Sequence, residues 1–132
     1  MNKSIIIDAS VVAKWLLPDG EDPLANLIKR DFTKRIITIS VPTLIFYEIN
    51  NLLKSAILSN RLNIKQAVNL YEVFLNLDFI VYWSKQLLIS ALKRALELNI
   101  SSYDAAYVVL SGQFKSPFML QMKNWLKKLP VN

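Results

Sequence analysis

Three acidic residues lie in stretches that otherwise read as protein interior. Asp8 closes the run Ile5-Ile6-Ile7. Glu48 sits within Leu44-Ile45-Phe46-Tyr47-Glu48-Ile49. Asp104 opens Tyr103-Asp104-Ala105-Ala106-Tyr107-Val108-Val109-Leu110. An ionised carboxylate loses heavily on leaving water, so carboxylates with apolar neighbours are normally paired or bound to a metal. Three of them gathered without a cation would repel one another and their pKa values would rise. One or two divalent ions reverse that sign. Ions held this way can align and deprotonate a water and stabilise charge on a phosphodiester during in-line displacement, two of them typically about 3.5–4 Å apart.

The chain contains no Cys and no His. Thiol nucleophiles, disulfides, Cys/His zinc sites and Ser-His-Asp triads are therefore excluded within it. Carboxylate, hydroxyl, amide, Lys and Arg remain. The carboxylates and amides are oxygen donors, which suit hard cations such as Mg²⁺ or Mn²⁺.

Each acid also has an ordinary explanation. Asp8 would serve as a turn or N-cap residue for a helix beginning near Val11, and both roles can hold at once. Glu48 falls, by helical arithmetic, beside the stripe Ile45, Ile49, Leu52 and Ala56, at the margin of a buried face. Leu44, Ile45, Asn51 and Leu52 lie one turn away and Ser55 two turns on, so its own helix offers it no ion pair. A boundary Glu that snorkels to water, or pairs with a base from another element, is the plain alternative. Ser101-x-x-Asp104 resembles a capping box, and an acid in the first turn gains from the helix dipole. The helix it opens is apolar nearly all round, which marks a buried helix.

Strand and helix signals alternate along the chain. Strands are expected at Ser4–Asp8, Arg35–Val41, Phe79–Trp83 and Pro117–Leu120. The first is a short, β-branched apolar run centred on Ile5-Ile6-Ile7, as for a strand covered on both faces. Helices are expected at Val11–Leu17 (stopped by Pro18-Asp19-Gly20), about Glu21–Phe32, Thr43–Leu58, Ile64–Leu77, Lys85–Leu98 and from Ser101 or Ser102 to about Ser111. Strands joined by helical crossovers predict an α/β fold with a mainly parallel sheet and helices on both sides. At the carboxyl ends of such strands ligands collect, and Asp8 stands at one. A basic amphipathic tail follows, with Trp125, Leu126 and Leu129 at helical spacing. It reads as a last core-packing helix, with a dimer or partner surface as the lesser reading.

At 132 residues and 53% hydrophobic, the chain fits one domain over residues 1–132 with a substantial core. Its apolar stretches fall short of the roughly 18 residues that span a bilayer, and Met1-Asn2-Lys3-Ser4-Ile5 is no signal peptide. A cytoplasmic, soluble protein is expected. The formal net charge of +6 suits a polyanionic partner such as nucleic acid, and equally suits plain solubility.

Ile5-Ile6-Ile7-Asp8-Ala9-Ser10-Val11-Val12-Ala13-Lys14-Trp15-Leu16-Leu17-Pro18 resembles the opening of a PIN domain of the VapC toxin type. Glu48, with Asn50 and Asn51 beyond it, is similar to the second acid of that family. Ser101-Ser102-Tyr103-Asp104-Ala105-Ala106-Tyr107 is similar to the third acid in its Tyr-Asp-Ala setting. The resemblance covers nearly the whole chain. It implies a three-layer α/β/α sandwich around a parallel sheet and Mg²⁺- or Mn²⁺-dependent ribonuclease activity. It further implies frequent homodimers and, in many relatives, a toxin held inactive by a cognate antitoxin. One departure stands out. The family's Thr-x-Asp segment after its fourth strand corresponds here to Leu120-Gln121-Met122, and no Asp or Glu follows Asp104. Gln121 or Asn124 offers a carbonyl oxygen but no charge, and Ser10 is a nearby polar group.

The leading expectation is a PIN-type endoribonuclease in which Asp8, Glu48 and Asp104 hold the metal. Lys14, Lys54, Arg61, Lys123, Lys127 and Lys128 are candidates for the RNA backbone. The alternative is a PIN fold without catalysis that binds RNA or a protein. No Gly-rich loop supports a P-loop or dinucleotide site, and Tyr82-Trp83-Ser84 lacks the Asp a phospho-acceptor receiver needs.

Overall fold

The computed structural model describes residues 3–18, 22–113 and 118–119. The tail containing Lys123, Asn124, Lys127 and Lys128, and with it Met122, lies outside the described residues. In chain order the elements are β1 (Lys3–Ile7), α1 (Ala9–Leu16), α2 (Pro23–Thr33), β2 (Ile37–Pro42), α3 (Leu44–Leu58), α4 (Ile64–Leu75), β3 (Ile80–Tyr82), α5 (Lys85–Leu98), α6 (Ser102–Gln113) and β4 (Phe118–Met119). The fold is mixed α/β. Its sheet has the order β3-β2-β1-β4, and every pairing is parallel. Register follows Ile5↔Ile39 between β1 and β2, Val41↔Val81 between β2 and β3, and Ile6↔Phe118 between β1 and β4.

Local chemistry sets where the helices begin and end. Asp22 caps α2 by accepting from the Ala25 amide, with Pro23 in the first turn where its missing N–H costs nothing. Asn63 and Gln66 form a reciprocal capping box on α4. Ser84 caps α5, and Asn99 ends it in the left-handed conformation at φ 53°. Helix α1 begins at Ala9 rather than Val11, because Asp8 itself is the cap. Helix α4 stops at Leu75 rather than Leu77, where the Asn76 side chain turns back to the Glu72 carbonyl. The third strand is shorter than Phe79–Trp83, since it lies at the sheet edge and pairs only with the end of β2.

Successive side chains of β1 point to opposite faces. Ile5 and Ile7 join Val11, Val12, Ala25, Ile28, Ile45, Ile49, Leu53 and Phe74 in the larger core cluster. Ile6 faces the other way, onto Leu87, Tyr107 and Leu110. β1 is therefore buried on both sides, as its uninterrupted isoleucines require. The larger cluster carries a run of rings: Trp15 stacks on Phe32, Phe32 on Phe79, and Phe79 meets Phe74, which also contacts Tyr71 and Phe46. Among the described residues no helix is long and apolar enough to cross a membrane.

Candidate functional site

Asp8 follows β1 directly and is buried, with 2% of its surface exposed. Its Oδ1 accepts from the Ser10 amide at 3.0 Å and from Ser10 Oγ at 2.5 Å. The expected position and the expected cap are both observed: the residue at the strand's carboxyl end is also the N-cap of α1. Ser10 thereby fixes one oxygen of a carboxylate that burial alone would make costly.

Glu48 stands in the second turn of α3, which leaves the carboxyl end of β2. It is half-buried, at the margin that helical arithmetic predicts. Its Oε1 accepts a hydrogen bond of 2.5 Å from the Tyr107 hydroxyl of α6. The partner from another element is thus a phenol.

Asp104 lies in the first turn of α6 and is half-buried. Its amide donates to Ser101 Oγ at 3.0 Å, so Ser101 provides the helix cap. Ala106, half a turn on, lines a hollow of ≈80 Å³ together with Pro42, Leu44, Tyr82 and Trp83. These residues belong to the carboxyl ends of β2 and β3 and to the elements that leave them, so α6 starts at the same edge of the sheet as α1, α3 and α5.

Tyr107 ties the three acids together. It is a fully buried side chain, 1% exposed, one turn after Asp104 on the same face of α6. Its hydroxyl holds its proton far more tightly than an ordinary phenol. The causes, in order, are burial, the charge and hydrogen bond of Glu48, the charge of Asp8 and the charge of Asp104. All three carboxylates therefore lie within electrostatic reach of one phenolic oxygen. Sequence reasoning did not single out Tyr107 as a site residue. The available signal was its spacing of three from Asp104.

The donor set matches a hard divalent cation in type, being carboxylate oxygen with a hydroxyl nearby. The spacing is looser: among the described residues, no group of three or more His, Cys, Asp or Glu side chains stands closely enough to hold a metal ion. Each of the three acids acts electrostatically on Tyr107. Of the expected backbone-binding residues, Lys14 is exposed in the last turn of α1, Lys54 is exposed on α3, and Arg61 is exposed in the turn that follows. Lys123 and Asn124 fall outside the described residues.

With that geometry in view, comparison with known proteins bears on the fold. The chain is similar to the crystal structure of PAE2754 from Pyrobaculum aerophilum, with a TM-score of 0.72 over 97% of this chain and 87% of that one, at 22% sequence identity. At that identity the likeness concerns the fold alone. No protein-family model matches the sequence, and no curated protein matches it.

Proposed function

We propose that the protein is a metal-dependent endoribonuclease of the PIN type, built as a three-layer α/β/α sandwich. The opposite burial of Ile5/Ile7 and Ile6 supports the three layers. The observation that carries the chemistry is the placement of Asp8, Glu48 and Asp104 around Tyr107 at the carboxyl edge of a parallel sheet. In this reading Asp8, Glu48 and Asp104, which form no close ligand group in this structure, would converge on Mg²⁺ or Mn²⁺ when the ion binds. The bound ion would supply a water of lowered pKa and a positive charge toward the phosphodiester.

The chain's own residues have definite parts. Ser10 holds Asp8 at the strand end through two hydrogen bonds to one oxygen. Tyr107 keeps its proton and presents it to Glu48, fixing that carboxylate's orientation without competing for the water's proton. Lys54 and Lys14 would draw the RNA backbone by charge. A homodimer, a cognate antitoxin and a cytoplasmic setting accompany the family resemblance and belong to the same proposal.

The test is cleavage of RNA in Mg²⁺ or Mn²⁺ by wild type, Asp8→Asn and Asp104→Asn. Cleavage by wild type that both substitutions abolish is expected; equal cleavage by all three counts against a nuclease.

A second reading has its own observations: Met122 stands where the resemblance expects a fourth acid, and the described acids form no close ligand group. The fold would then bind RNA or a protein without cutting it. Thermal melting with added Mn²⁺ separates the two, because an ion that binds the native state raises the melting temperature by mass action. No shift at millimolar Mn²⁺ favours the binding module.

A further inference from the structure

Among the described residues, three aromatic side chains are exposed: Tyr47 (82%), Trp83 (63%) and Tyr103 (67%). All three stand at the edge that carries the acids. Tyr47 directly precedes Glu48, and Tyr103 directly precedes Asp104. Trp83 follows β3, immediately before the cap of α5. They also border one another's surroundings. Trp83 lines the ≈80 Å³ hollow with Leu44 and Ala106. Tyr47 is one helical turn from Leu44, and Tyr103 is one turn from Ala106, each on the same face of its helix.

A single exposed ring is unremarkable on any surface. The other rings whose burial is described are buried or half-buried, several of them in the stacked run of the larger core cluster. The restriction of exposed rings to the acidic edge is what calls for an explanation. Charge supplies the complement. Lys54 shares the outward face of α3 with Tyr47, seven residues on, and Lys85 opens α5 two residues after Trp83; both are exposed.

Flat rings interleaved with cations are how proteins hold unpaired nucleotides: the rings stack on bases and the cations follow the phosphates. A duplex keeps its bases stacked inside and offers such rings nothing. We propose that Tyr47, Trp83 and Tyr103 form a base-stacking platform that makes the site selective for single-stranded RNA, with Lys54 and Lys85 on its backbone. The inference rests on the ribonuclease reading for its ligand, and its test does not depend on cleavage.

The experiment is fluorescence anisotropy of a labelled single-stranded RNA, and of the same RNA annealed to its complement. Both are measured at one fixed ionic strength with EDTA present, so that no strand is cut. Proteins compared are wild type, Tyr47→Ala, Trp83→Ala, Tyr103→Ala and the three corresponding Phe substitutions, each checked for an unchanged melting curve. Expected is a loss of single-strand affinity between about 5- and 150-fold for each Ala variant, the loss of one stacked base. Duplex binding should be unchanged, and Phe should restore affinity in each case. Three results overturn the platform: Ala variants that bind single strands like wild type, Ala variants that lose single strand and duplex equally, or a wild type that binds neither. The last would leave the rings to a protein partner. A wild type that binds single strands through these rings yet cleaves nothing in Mn²⁺ overturns only the nuclease reading. Cleavage with unaffected Ala variants overturns only the platform.

Discussion

Replacing Tyr107 by Phe removes one oxygen atom and tests the centre of the site. That oxygen donates to Glu48 across 59 residues of sequence. A hydrogen bond to a charged group contributes about 1.5–3 kcal/mol. Two effects reduce the net loss. Phe no longer buries a hydroxyl, and Glu48 is half-buried, so water can reach the carboxylate once the phenol is gone. The expected destabilisation is therefore about 1–2 kcal/mol, which for a chain of this size lowers Tm by roughly 4–8 °C. Urea unfolding of wild type, Tyr107→Phe, Glu48→Ala and the double variant gives the coupling energy directly. A value near 1–2 kcal/mol is expected. If the single effects add to within about 0.3–0.5 kcal/mol, the two groups do not interact and the account of the site fails. The same variant has a second readout. If the metal-dependent reading holds, Tyr107→Phe should also weaken Mn²⁺ binding about 10- to 100-fold while leaving all three acids in place, as loss of a group orienting a ligating carboxylate typically does.

Further expectations concern pH, the core and one turn. Tyr107 in the fold retains its proton well beyond the ordinary phenol value of 10.0 that it regains on unfolding. Its contribution is thus complete below about pH 10 and is lost above it, at about 1.4 kcal/mol per pH unit. Tyr107→Phe should flatten that alkaline fall in urea titrations at pH 9 to 11, and an unchanged slope would remove Tyr107 as its source. Phe74→Ala empties a fully buried position among three other rings and should cost about 3–5 kcal/mol; a loss below about 1 kcal/mol would mean the ring does not pack against them. Arg35 adopts φ 61°, where a Cβ is strained. Its ion pair with Asp78 spans 4.0 Å between exposed groups and contributes little. Arg35→Gly should raise stability by about 0.5–1 kcal/mol, read as a higher urea midpoint; a lower midpoint would show that the ion pair outweighs the strain.

What the sequence discloses depends on how local the cause is. Asp8 was legible in both roles, because strand end and cap are decided within three residues. The cap of α6 was narrowed to Ser101 or Ser102 for the same reason, and the structure selects Ser101. The register of the parallel sheet was not, since it is fixed by how β1, β2 and β4 meet across distant crossovers. Glu48 shows the boundary well. Helical spacing located it at the rim of a buried face, where a metal, water or a base from another element was expected, and the structure supplies a phenol instead. Which residue would supply that partner was beyond periodicity, because Tyr107 reads as one more bulky position on an apolar helix. That all three acids act on one phenol likewise follows from tertiary packing.

The brevity of β3 has a consequence for self-association. Ile80 and Val81 are exposed at the rim of the sheet, apolar and without charge, the composition that invites another chain to add itself as a further strand. With three residues available, an incoming strand finds only a few rungs before the ladder ends. Within β3 neither charge nor proline guards the edge, so its shortness is the limit on such pairing, and lengthening the strand by a few β-branched residues should favour edge-to-edge association.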